Sequence, residues 1–497
     1  MTSNGDGPGG DPERTEHLDV LIVGAGLSGI GAACHLRRSH PHRSFALLES
    51  RGALGGTWDL FRYPGIRSDS DMFTLGYRFS PWRHEDAIAG GGTIREYLRR
   101  TAEEHRITER IRYHHRVLSA DWSSADARWT VTVLRGEGAA AEPATLTCSF
   151  LYCCSGYYRY DAGYLPEFPD ADRYTGRLVH PQHWPEDLDH EGKRVAVIGS
   201  GATAITLVPA LAEKAARVTM VQRSPSYIAS RPAKDRFGPA LSSVLPGDAA
   251  WTLARWGNLL VSMGLYGLSR RAPALARRLL KAGVRAQLPD GYDVERDFDP
   301  RYQPWDQRLC LAADGDLFKA IREDRAEVVT GGIERFTEKG LRMESGREVE
   351  ADVVVTATGL NLLPLGGMSL SVDGEEVSLP DTFAYRGLML SGVPNFAFTI
   401  GYVNASWTLR ADLVAEYVCR LLDHLDRSGR RTATPQVPPG TRARPYLELT
   451  SGYIARGIDR MPKQGEAAPW LVQQNYLADR RQMRRTPVDD GHLVFGG

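Results

Sequence analysis

The fold of this chain is decided by the stretch Asp19-Val-Leu-Ile-Val23-Gly24-Ala-Gly26-Leu-Ser28-Gly29. An apolar β-type run leads directly into a glycine turn, and a helical pattern continues through Arg38. A second apolar run, Ser44–Leu48, ends in Glu49. Strand, glycine turn, helix and strand in this order predict a dinucleotide-binding βαβ unit, because glycines let the backbone approach a pyrophosphate at a helix N-terminus.

The same pattern recurs at Gly199-Ser-Gly201-Ala-Thr-Ala204, between the apolar runs Arg194–Ile198 and Arg217–Val221. Arg223-Ser224 stands where the first unit has Glu49. A carboxylate there accepts hydrogen bonds from ribose hydroxyls, which suits FAD or NAD, whereas Arg and Ser can bind a 2′-phosphate. The sequence therefore predicts two cofactors, FAD at the first fingerprint and NADPH at the second. A solvated surface arginine is the alternative interpretation of Arg223.

Composition narrows the class of protein. The 497 residues carry 61 basic and 61 acidic side chains, so no excess charge favours nucleic acid as a partner. Six cysteines without a CxxC motif indicate a reducing cytosol and predict neither disulfides nor a metal site. The apolar segment Trp256–Leu268 is too short to cross a bilayer, which leaves a buried or surface-docked helix and weak peripheral membrane association as expectations.

The two fingerprints predict an α/β protein with two Rossmann-like domains, the NADP domain inserted in the FAD domain. Residues 1–16 are expected to form a disordered tail. Residues 17–164 and 341–497 would form the discontinuous FAD-binding domain with its C-terminal region. Residues 165–340 would form the NADPH-binding domain, with a helical insertion at about 236–300. Segments 90–135 and 330–350 are expected to form small antiparallel sheets.

Two further motifs carry a resemblance to a known family. The first is Tyr174-x-Gly176-x-x-x-His180-x-x-x-Trp184-Pro185, just upstream of the second fingerprint, and the second is Gly55-Gly-Thr57-Trp58-Asp-Leu-Phe-Arg-Tyr63-Pro-Gly-Ile-Arg67-Ser-Asp69. Together with the fingerprints they resemble the type I Baeyer–Villiger monooxygenases, class B flavoprotein monooxygenases, and are similar to the ethionamide monooxygenase subgroup. The resemblance covers nearly the whole chain beyond residue 16.

The resemblance implies the following cofactor contacts. FAD would be held by Gly24, Gly26, Ser28, Gly29, Glu49, Thr57, Trp58, Asp59, Leu60, Asp69 and Val117. NADPH would be held by Arg67, Ser68, Asp69, Gly199, Ser200, Gly201, Ala202, Thr203, Ala204, Ile205, Thr206, Arg223 and Ser224. Gln307 stands where many relatives carry a lysine toward the 2′-phosphate, so the preference for NADPH over NADH would rest mainly on Arg223.

The catalytic cation of the family falls on Arg308, with Asp69 as its ion-pair partner. A guanidinium keeps its charge and donates in a fork, so it can stabilise an oxyanion without losing its proton. An ordinary interdomain salt bridge is the alternative role. His180 and Trp184 are interpreted as coupling elements rather than catalytic groups, and Trp407 as either a flavin-side or a core residue.

The reaction implied is insertion of one oxygen atom of O2 next to a ketone carbonyl, through a C4a-peroxyflavin, giving an ester or lactone. Sulfides or thioamides are possible substrates for S-oxygenation. The alternative enzyme is a flavin-containing N- or S-monooxygenase without carbonyl chemistry. A pyridine-nucleotide disulfide reductase would need a redox-active cysteine pair near the flavin, and none follows the first βαβ unit of this chain. A nucleotide-binding redox sensor is a further alternative, and it would not require the Asp69/Arg308 pair. The apolar, arginine-dotted segment 231–303 is expected to wall a tunnel for a bulky or lipophilic ketone.

Overall fold

A computed structural model describes residues 15–235 and 245–497. Most of the expected disordered tail, and the start of the expected helical insertion at 236–244, therefore lie outside the described residues. The longer helices of the described chain are labelled in order: α1 (Leu27–Ser39), α2 (Gly91–Glu104), α3 (Ala202–Leu211), α4 (Gly247–Arg271), α5 (Pro273–Arg285), α6 (Asp316–Arg322), α7 (Trp407–Ser428) and α8 (Tyr476–Arg485). Shorter helical turns are Thr57–Leu60, Met72–Leu75, Val294–Phe298 and Gly452–Ala455.

A nine-stranded sheet forms the first unit. Its strands in spatial order are Glu375–Glu376, Ser369–Val372, His115–Ser123, Arg128–Arg135, Glu142–Cys153, His17–Val23, Phe45–Leu48 and Ile111–Arg112, and Phe396–Phe398 pairs with Glu142–Cys153. The inner strand His17–Val23 is parallel to both of its neighbours and almost fully buried. Continuous burial explains its apolar run, since helices cover both faces of a parallel sheet.

A five-stranded parallel sheet forms the second unit, in the order Ala326–Thr330, Arg217–Gln222, Arg194–Ile198, Val353–Thr356 and Arg177–Val179. Helix α3 follows its central strand as α1 follows His17–Val23. The expected boundary at 340 would cut this sheet, because Val353–Thr356 pairs with Arg194–Ile198 over its whole length. We propose that the inserted domain extends to about residue 357. The α/β fold with two Rossmann-like units is confirmed.

The antiparallel elements agree only partly with expectation. Segment 333–350 does form a three-stranded antiparallel sheet, of Ile333–Thr337, Gly340–Met343 and Glu348–Glu350. Segment 90–135 does not form a sheet of its own: it begins with α2, and its hairpin joins the nine-stranded sheet. Two-stranded pairings are Ile228–Arg231 with Cys310–Ala313, Ala384–Tyr385 with Met389–Leu390, Thr432–Pro435 with Leu493–Gly496, and Arg444–Pro445 with Lys463–Gln464.

Helices α4 and α5 form a hairpin within the second unit, where the helical insertion was expected. The apolar segment Trp256–Leu268 lies inside α4. Within the described ranges, no helix is long and apolar enough to cross a membrane. Helix α7 packs against α1 with its buried face and brings the C-terminal region onto the first fingerprint.

Candidate functional site

The first fingerprint forms a tight backbone cradle. Gly24 has a φ of +99°, and a Cβ there would lie 2.9 Å from the carbonyl oxygen of Cys154. A Cβ on Gly29 would lie only 1.8 Å from the carbonyl oxygen of Gly24. Neither position therefore tolerates a side chain. Gly24 and Gly26 border a cavity of about 330 Å³, so the turn leaves room for a ligand at the N-terminus of α1.

Glu49 and Val117 line the same cavity. Glu49 is buried and accepts hydrogen bonds from the backbone N–H groups of Ala25 (2.9 Å) and Arg51 (3.0 Å). These bonds fix the carboxylate against the fingerprint. Val117 is buried at an irregularity of the strand His115–Ser123, where the register shifts. The structure therefore brings four of the predicted first-site residues together at one cavity, namely Gly24, Gly26, Glu49 and Val117.

The turn Thr57–Leu60 closes the other side of the first unit. The Thr57 hydroxyl lies 3.2 Å from the hydroxyl of Tyr160. Asp59 is buried among three arginines, at 2.8 Å from Arg51, 2.5 Å from Arg62 and 3.3 Å from Arg95. This cluster gives Asp59 a structural role that its motif position did not reveal. Trp58 packs on the core of the first unit and Leu60 on that of the second.

The second fingerprint repeats the close backbone approach. Gly199 has a φ of +137°, and a Cβ there would lie 2.3 Å from the carbonyl oxygen of Ala357. Gly201 precedes α3, which begins with the remaining predicted residues Ala202, Thr203, Ala204, Ile205 and Thr206. The Ser200 hydroxyl donates to the carbonyl of Ser224 at 3.0 Å. This bond ties the glycine turn to the end of the strand Arg217–Gln222.

Arg223 and Ser224 are both exposed at that strand end. Among the described residues, Arg223 has no ion pair or hydrogen bond from its guanidinium. An unneutralised arginine beside a fingerprint turn is available to an anionic group. Its position is the one that the sequence predicts for recognition of a 2′-phosphate.

The segment Arg67–Asp69 lies between the two units. Arg67 donates to Asp316 at the start of α6, at 2.5 Å, and is therefore engaged by the second unit. Ser68 is buried, and its hydroxyl accepts from the backbone N–H of Ala89 at 3.2 Å. These two contacts hold the segment so that the next side chain, Asp69, faces Arg308.

Asp69 and Arg308 form an ion pair, with Asp69 Oδ2 at 2.9 Å from Arg308 Nη2. Both side chains are about one-third exposed, at 35% and 31%. Burial alone would lower the pKa of Arg308, but Asp69 and the phenols of Tyr158 and Tyr453 raise it above its ordinary value. Arg308 is therefore a permanent cation held at the junction of the two units.

A cavity of about 500 Å³ adjoins this ion pair. The polar side chains on its lining include Asp69, Arg308, Asn404 and Ser406, and also Asp71, Thr74, Ser230, Arg231 and Gln287. Its walls are mostly apolar, with contributions from α4, α5 and the strand Ile228–Arg231; the larger apolar side chains are Ile228, Leu259, Val261, Leu265, Leu268, Leu279, Leu280, Leu309, Leu311 and Leu409. The arrangement can hold an apolar molecule with one polar group placed near a cation.

Trp305 is a residue of this cavity that sequence reasoning missed. Its φ is +71°, a left-handed conformation that is rare for a bulky side chain and that concentrates at functional sites. The indole packs edge-on against Tyr266 of α4, with ring centroids 5.4 Å apart. The PWDQR run around Trp305 carried the signal, but only its Gln307 and Arg308 were interpreted.

Trp407 and His180 form hydrogen bonds elsewhere and do not line the cavity beside Arg308. The Trp407 Nε1–H donates to Ser28 Oγ at 2.7 Å, which ties the first turn of α7 to the first fingerprint. His180 accepts from the backbone N–H of Gln182 and lies 3.3 Å from the carbonyl of Gly359. Burial lowers the pKa of His180. Trp184 is half-buried against the core of the second unit.

Comparisons with known proteins agree with this geometry. The family model for flavin-binding monooxygenase-like proteins matches residues 87–243, and that for NAD(P)-binding Rossmann-like domains matches residues 22–83. The chain is 53% identical to the FAD-containing monooxygenase EthA of Mycobacterium tuberculosis over 483 residues, 97% of this chain and 98% of EthA. It is 48% identical to the probable FAD-binding monooxygenase AlmA of Acinetobacter baylyi, over 97% and 96% of the two chains.

Solved structures show the same fold at low sequence identity. A steroid monooxygenase bound to NADP superposes with a TM-score of 0.76 at 23% identity, covering 97% of this chain and 99% of that one. Cyclohexanone monooxygenase from Rhodococcus, bound to NADP+, gives a TM-score of 0.69 at 18% identity, with 85% and 87% covered. The resemblance inferred from the motifs is confirmed, and the chain belongs to the family of FAD-containing monooxygenases that includes EthA.

Proposed function

We propose that this protein is an NADPH-dependent Baeyer–Villiger monooxygenase that converts a lipophilic ketone into an ester or lactone. The overall reaction consumes the ketone, O2, NADPH and a proton, and yields the ester, NADP+ and water. The observation that carries the proposal is the Asp69/Arg308 pair on the lining of a largely apolar cavity. That cavity lies where the two dinucleotide units meet.

The first cradle fits FAD. Gly24 and Gly29 have no space for a Cβ, and Glu49 and Val117 line the adjoining cavity. We expect the glycines and Ser28 to hold the pyrophosphate, Glu49 the ribose, and the segment from Thr57 to Asp69 the ring system. Bound FAD would take a hydride from NADPH and supply the activated oxygen.

The second cradle fits NADPH. Gly199 allows a close backbone approach, and the exposed Arg223 guanidinium has no partner among residues 15–235 and 245–497. Arg223 and Ser224 would therefore bind the 2′-phosphate, and the turn from Ser200 to Thr206 the pyrophosphate. Gln307 brings no charge to this site. Discrimination against NADH would depend on Arg223.

Arg308 would stabilise the negative charge that develops on the carbonyl oxygen of the ketone during attack. A guanidinium does this as a donor with two fixed N–H directions and without giving up a proton. Asp69, at 2.9 Å, would hold the guanidinium in place as a positioning residue. The apolar walls would exclude water from the reacting carbonyl.

The cavity also indicates the class of substrate. About 500 Å³ is enough for a drug-sized or medium-chain molecule, and half of the lining residues are aliphatic. An apolar chain would lie along α4 and α5, with its carbonyl toward Arg308. A substrate panel that showed preference for small polar ketones would contradict this assignment.

Oxygenation of sulfides or thioamides is the second candidate activity. The match to the flavin-binding monooxygenase-like family model supports a flavin monooxygenase, and the fingerprints alone do not distinguish the two chemistries. A ketone needs a cation at its carbonyl oxygen, whereas a sulfide has no carbonyl to polarise. The Arg308→Ala variant should therefore lose ester formation far more than sulfoxide formation. Equal loss of both products would remove the proposed role of Arg308.

The α4–α5 hairpin that walls the cavity also exposes apolar side chains, which would allow a lipophilic substrate to enter from a membrane surface. Six of the eleven exposed large hydrophobic side chains of the described chain lie on the α4–α5 hairpin: Leu253, Leu260, Val261, Leu265, Leu275 and Leu279. Val261, Leu265 and Leu279 also line the cavity. We propose that the enzyme is cytoplasmic, as its buried free cysteines favour, and docks peripherally on anionic lipid through this hairpin.

Charge supports lipid as the occupant of that face. The segment 247–285 contains seven basic residues and one acidic residue in a chain that is formally neutral. Arg271 and Arg278 are exposed and have no ion pair within the described part of the chain. The other five basic residues are ion-paired or buried, so Arg271 and Arg278 are the cations that anionic headgroups would attract.

Vesicle flotation tests the docking. The wild-type holoenzyme should float with phosphatidylglycerol vesicles but not with phosphatidylcholine vesicles, and Leu260→Asp should reduce flotation. Leu477→Asp, which alters an exposed leucine on α8, is the matched control. Equal flotation of both variants, or none with anionic vesicles, would contradict the proposal.

A further inference from the structure

A second cavity, of about 590 Å³, lies behind α4 and outside the site described above. It is enclosed by the end of α1, the segment 78–83, α4 and α8. Leu259 of α4 lines both cavities, so a single helix separates them. Its size is within the range that small-molecule sites in proteins have.

The lining of this rear cavity is strongly basic. It includes six arginines and one acidic residue, Asp248. Arg83 pairs with Asp248, and Arg78 and Arg484 share Glu416, which lies outside the lining. The remaining cations are not neutralised by carboxylates. The walls therefore carry an excess of positive charge, which a concave surface concentrates.

Three of these arginines have no ion pair among the residues that the structure describes. One of them, Arg255, donates instead to backbone carbonyls of the segment 73–76. The other two are Arg38 and Arg480. Arg38 lies over the ring of Phe79, with its guanidinium carbon 5.5 Å from the centroid. Arg480 lies over the ring of Trp256 at 5.4 Å, and its Nε is buried without a hydrogen-bond partner. Each therefore presents a charge beside a flat apolar surface.

Trp251 adds an unsatisfied donor to the same cavity. Its side chain is buried, and within the described ranges its Nε1–H has no hydrogen-bond acceptor. Buried indole N–H groups usually find a partner, because leaving one unpaired costs free energy. A ligand that brings an acceptor atom would satisfy this donor.

We propose that the rear cavity is a binding site for an amphipathic anion, a carboxylate carried on an aromatic or aliphatic body. Arg38 and Arg480 would bind the carboxylate, with Trp251 as an additional donor. Phe79, Trp256 and Tyr476 would pack on the apolar body. A purely hydrophilic anion would leave these rings without a contact.

Binding there is expected to change the front cavity. Leu259 and the rest of α4 form a wall of both cavities, so a ligand behind the helix fixes the shape of the wall that faces Arg308. This part of the inference rests on the proposed function. The expected result is a changed KM for the ketone when the rear site is filled.

Calorimetric titration of the FAD-loaded enzyme with naphthalene-2-carboxylate tests the site without turnover. The neutral amide of the same acid should bind at least about tenfold more weakly, because it cannot form charge-assisted bonds. Arg480→Ala should weaken carboxylate binding about tenfold. Arg481→Ala is the matched control, because Arg481 is exposed on the same helix and does not line the cavity. Trp251→Phe keeps an aromatic ring, removes the N–H and should weaken binding severalfold.

Three results would overturn the proposal. The first is that the wild-type enzyme binds neither probe, and the second is that acid and amide bind equally. The third is that Arg480→Ala and Arg481→Ala bind the acid alike, which would place the probe elsewhere. An enzyme that binds the acid as expected but forms no ester would contradict the proposed function without contradicting the rear binding site.

Discussion

Replacement of Arg308 by alanine is the most direct test of the proposed chemistry. Removing one donor from an oxyanion site typically lowers the rate by about 10²–10³-fold. The Arg308 side chain is 31% exposed, so water can partly replace the lost guanidinium. We therefore expect a fall in kcat near the lower limit, about 10²-fold or about 2.7 kcal/mol in the barrier. Binding of FAD and NADPH should change little.

Variants of Asp69, the ion-pair partner of Arg308, make this test more specific. If Asp69 acts only by holding Arg308, Asp69→Asn should lower kcat by a smaller factor, and the double variant should be no worse than Arg308→Ala alone. Arg308→Lys should retain part of the activity, because it keeps the charge but loses the fork. The assay is ester formation from a long-chain methyl ketone by gas chromatography, with hydrogen peroxide release recorded in parallel. Additive losses from the two single variants, or ester formation by Arg308→Ala at the wild-type rate, would refute the reasoning.

Three further predictions concern the cofactors and stability. Gly29→Ala should abolish FAD binding, because its Cβ would lie 1.8 Å from the carbonyl oxygen of Gly24. The control variant Gly92→Ala, whose Cβ would have no atom within 4 Å, should retain FAD and its yellow colour. The measurement is the flavin absorbance per protein of the two purified variants. Arg223→Ala should raise the KM for NADPH about 10- to 100-fold and leave that for NADH unchanged, and equal effects on both would contradict its 2′-phosphate role. Burial alone would raise the pKa of Asp412, but the hydrogen bond from His35 lowers that pKa below the ordinary value. The ionised Asp412 therefore contributes its full stability above about pH 4, and this contribution is lost as the pH falls through the pKa of the folded state. Asp412→Asn should therefore show a shallower fall in melting temperature on acidification, and parallel curves would exclude this group.

The dinucleotide units could be predicted because their determinants are local. A strand, a glycine turn and a helix follow one another directly in the chain, so Arg194–Ile198 was predicted at its observed bounds. The ion pair of Asp69 and Arg308 is far from local, and it was expected only because the family motifs supplied it. Its observed distance of 2.9 Å agrees with that expectation.

Features that depend on long-range contacts were not predictable from the residues. Helix α2 is an exception: its buried Ile94, Leu98 and Ala102 follow helical spacing, so the residues themselves indicated a helix where strands were expected. The strand Val353–Thr356 belongs to the second sheet because it pairs with residues about 160 positions earlier. The arginine cluster around Asp59 is long-range only through Arg95 of α2, since Arg51 and Arg62 are near neighbours of Asp59 in the chain. The left-handed Trp305 has no signal in its residue type, which would rather argue against that conformation.

The pairing of Phe396–Phe398 with Glu142–Cys153 has a consequence for biosynthesis. Until residue 398 has left the ribosome, an inner strand of the first sheet presents an open edge, and the bond from Trp407 to Ser28 cannot form. Unpaired strand edges in a nascent chain are sites of aggregation. Capture of flavin by the growing polypeptide should therefore be late, and production in a host short of flavin or of chaperones should yield insoluble material rather than a soluble apoprotein.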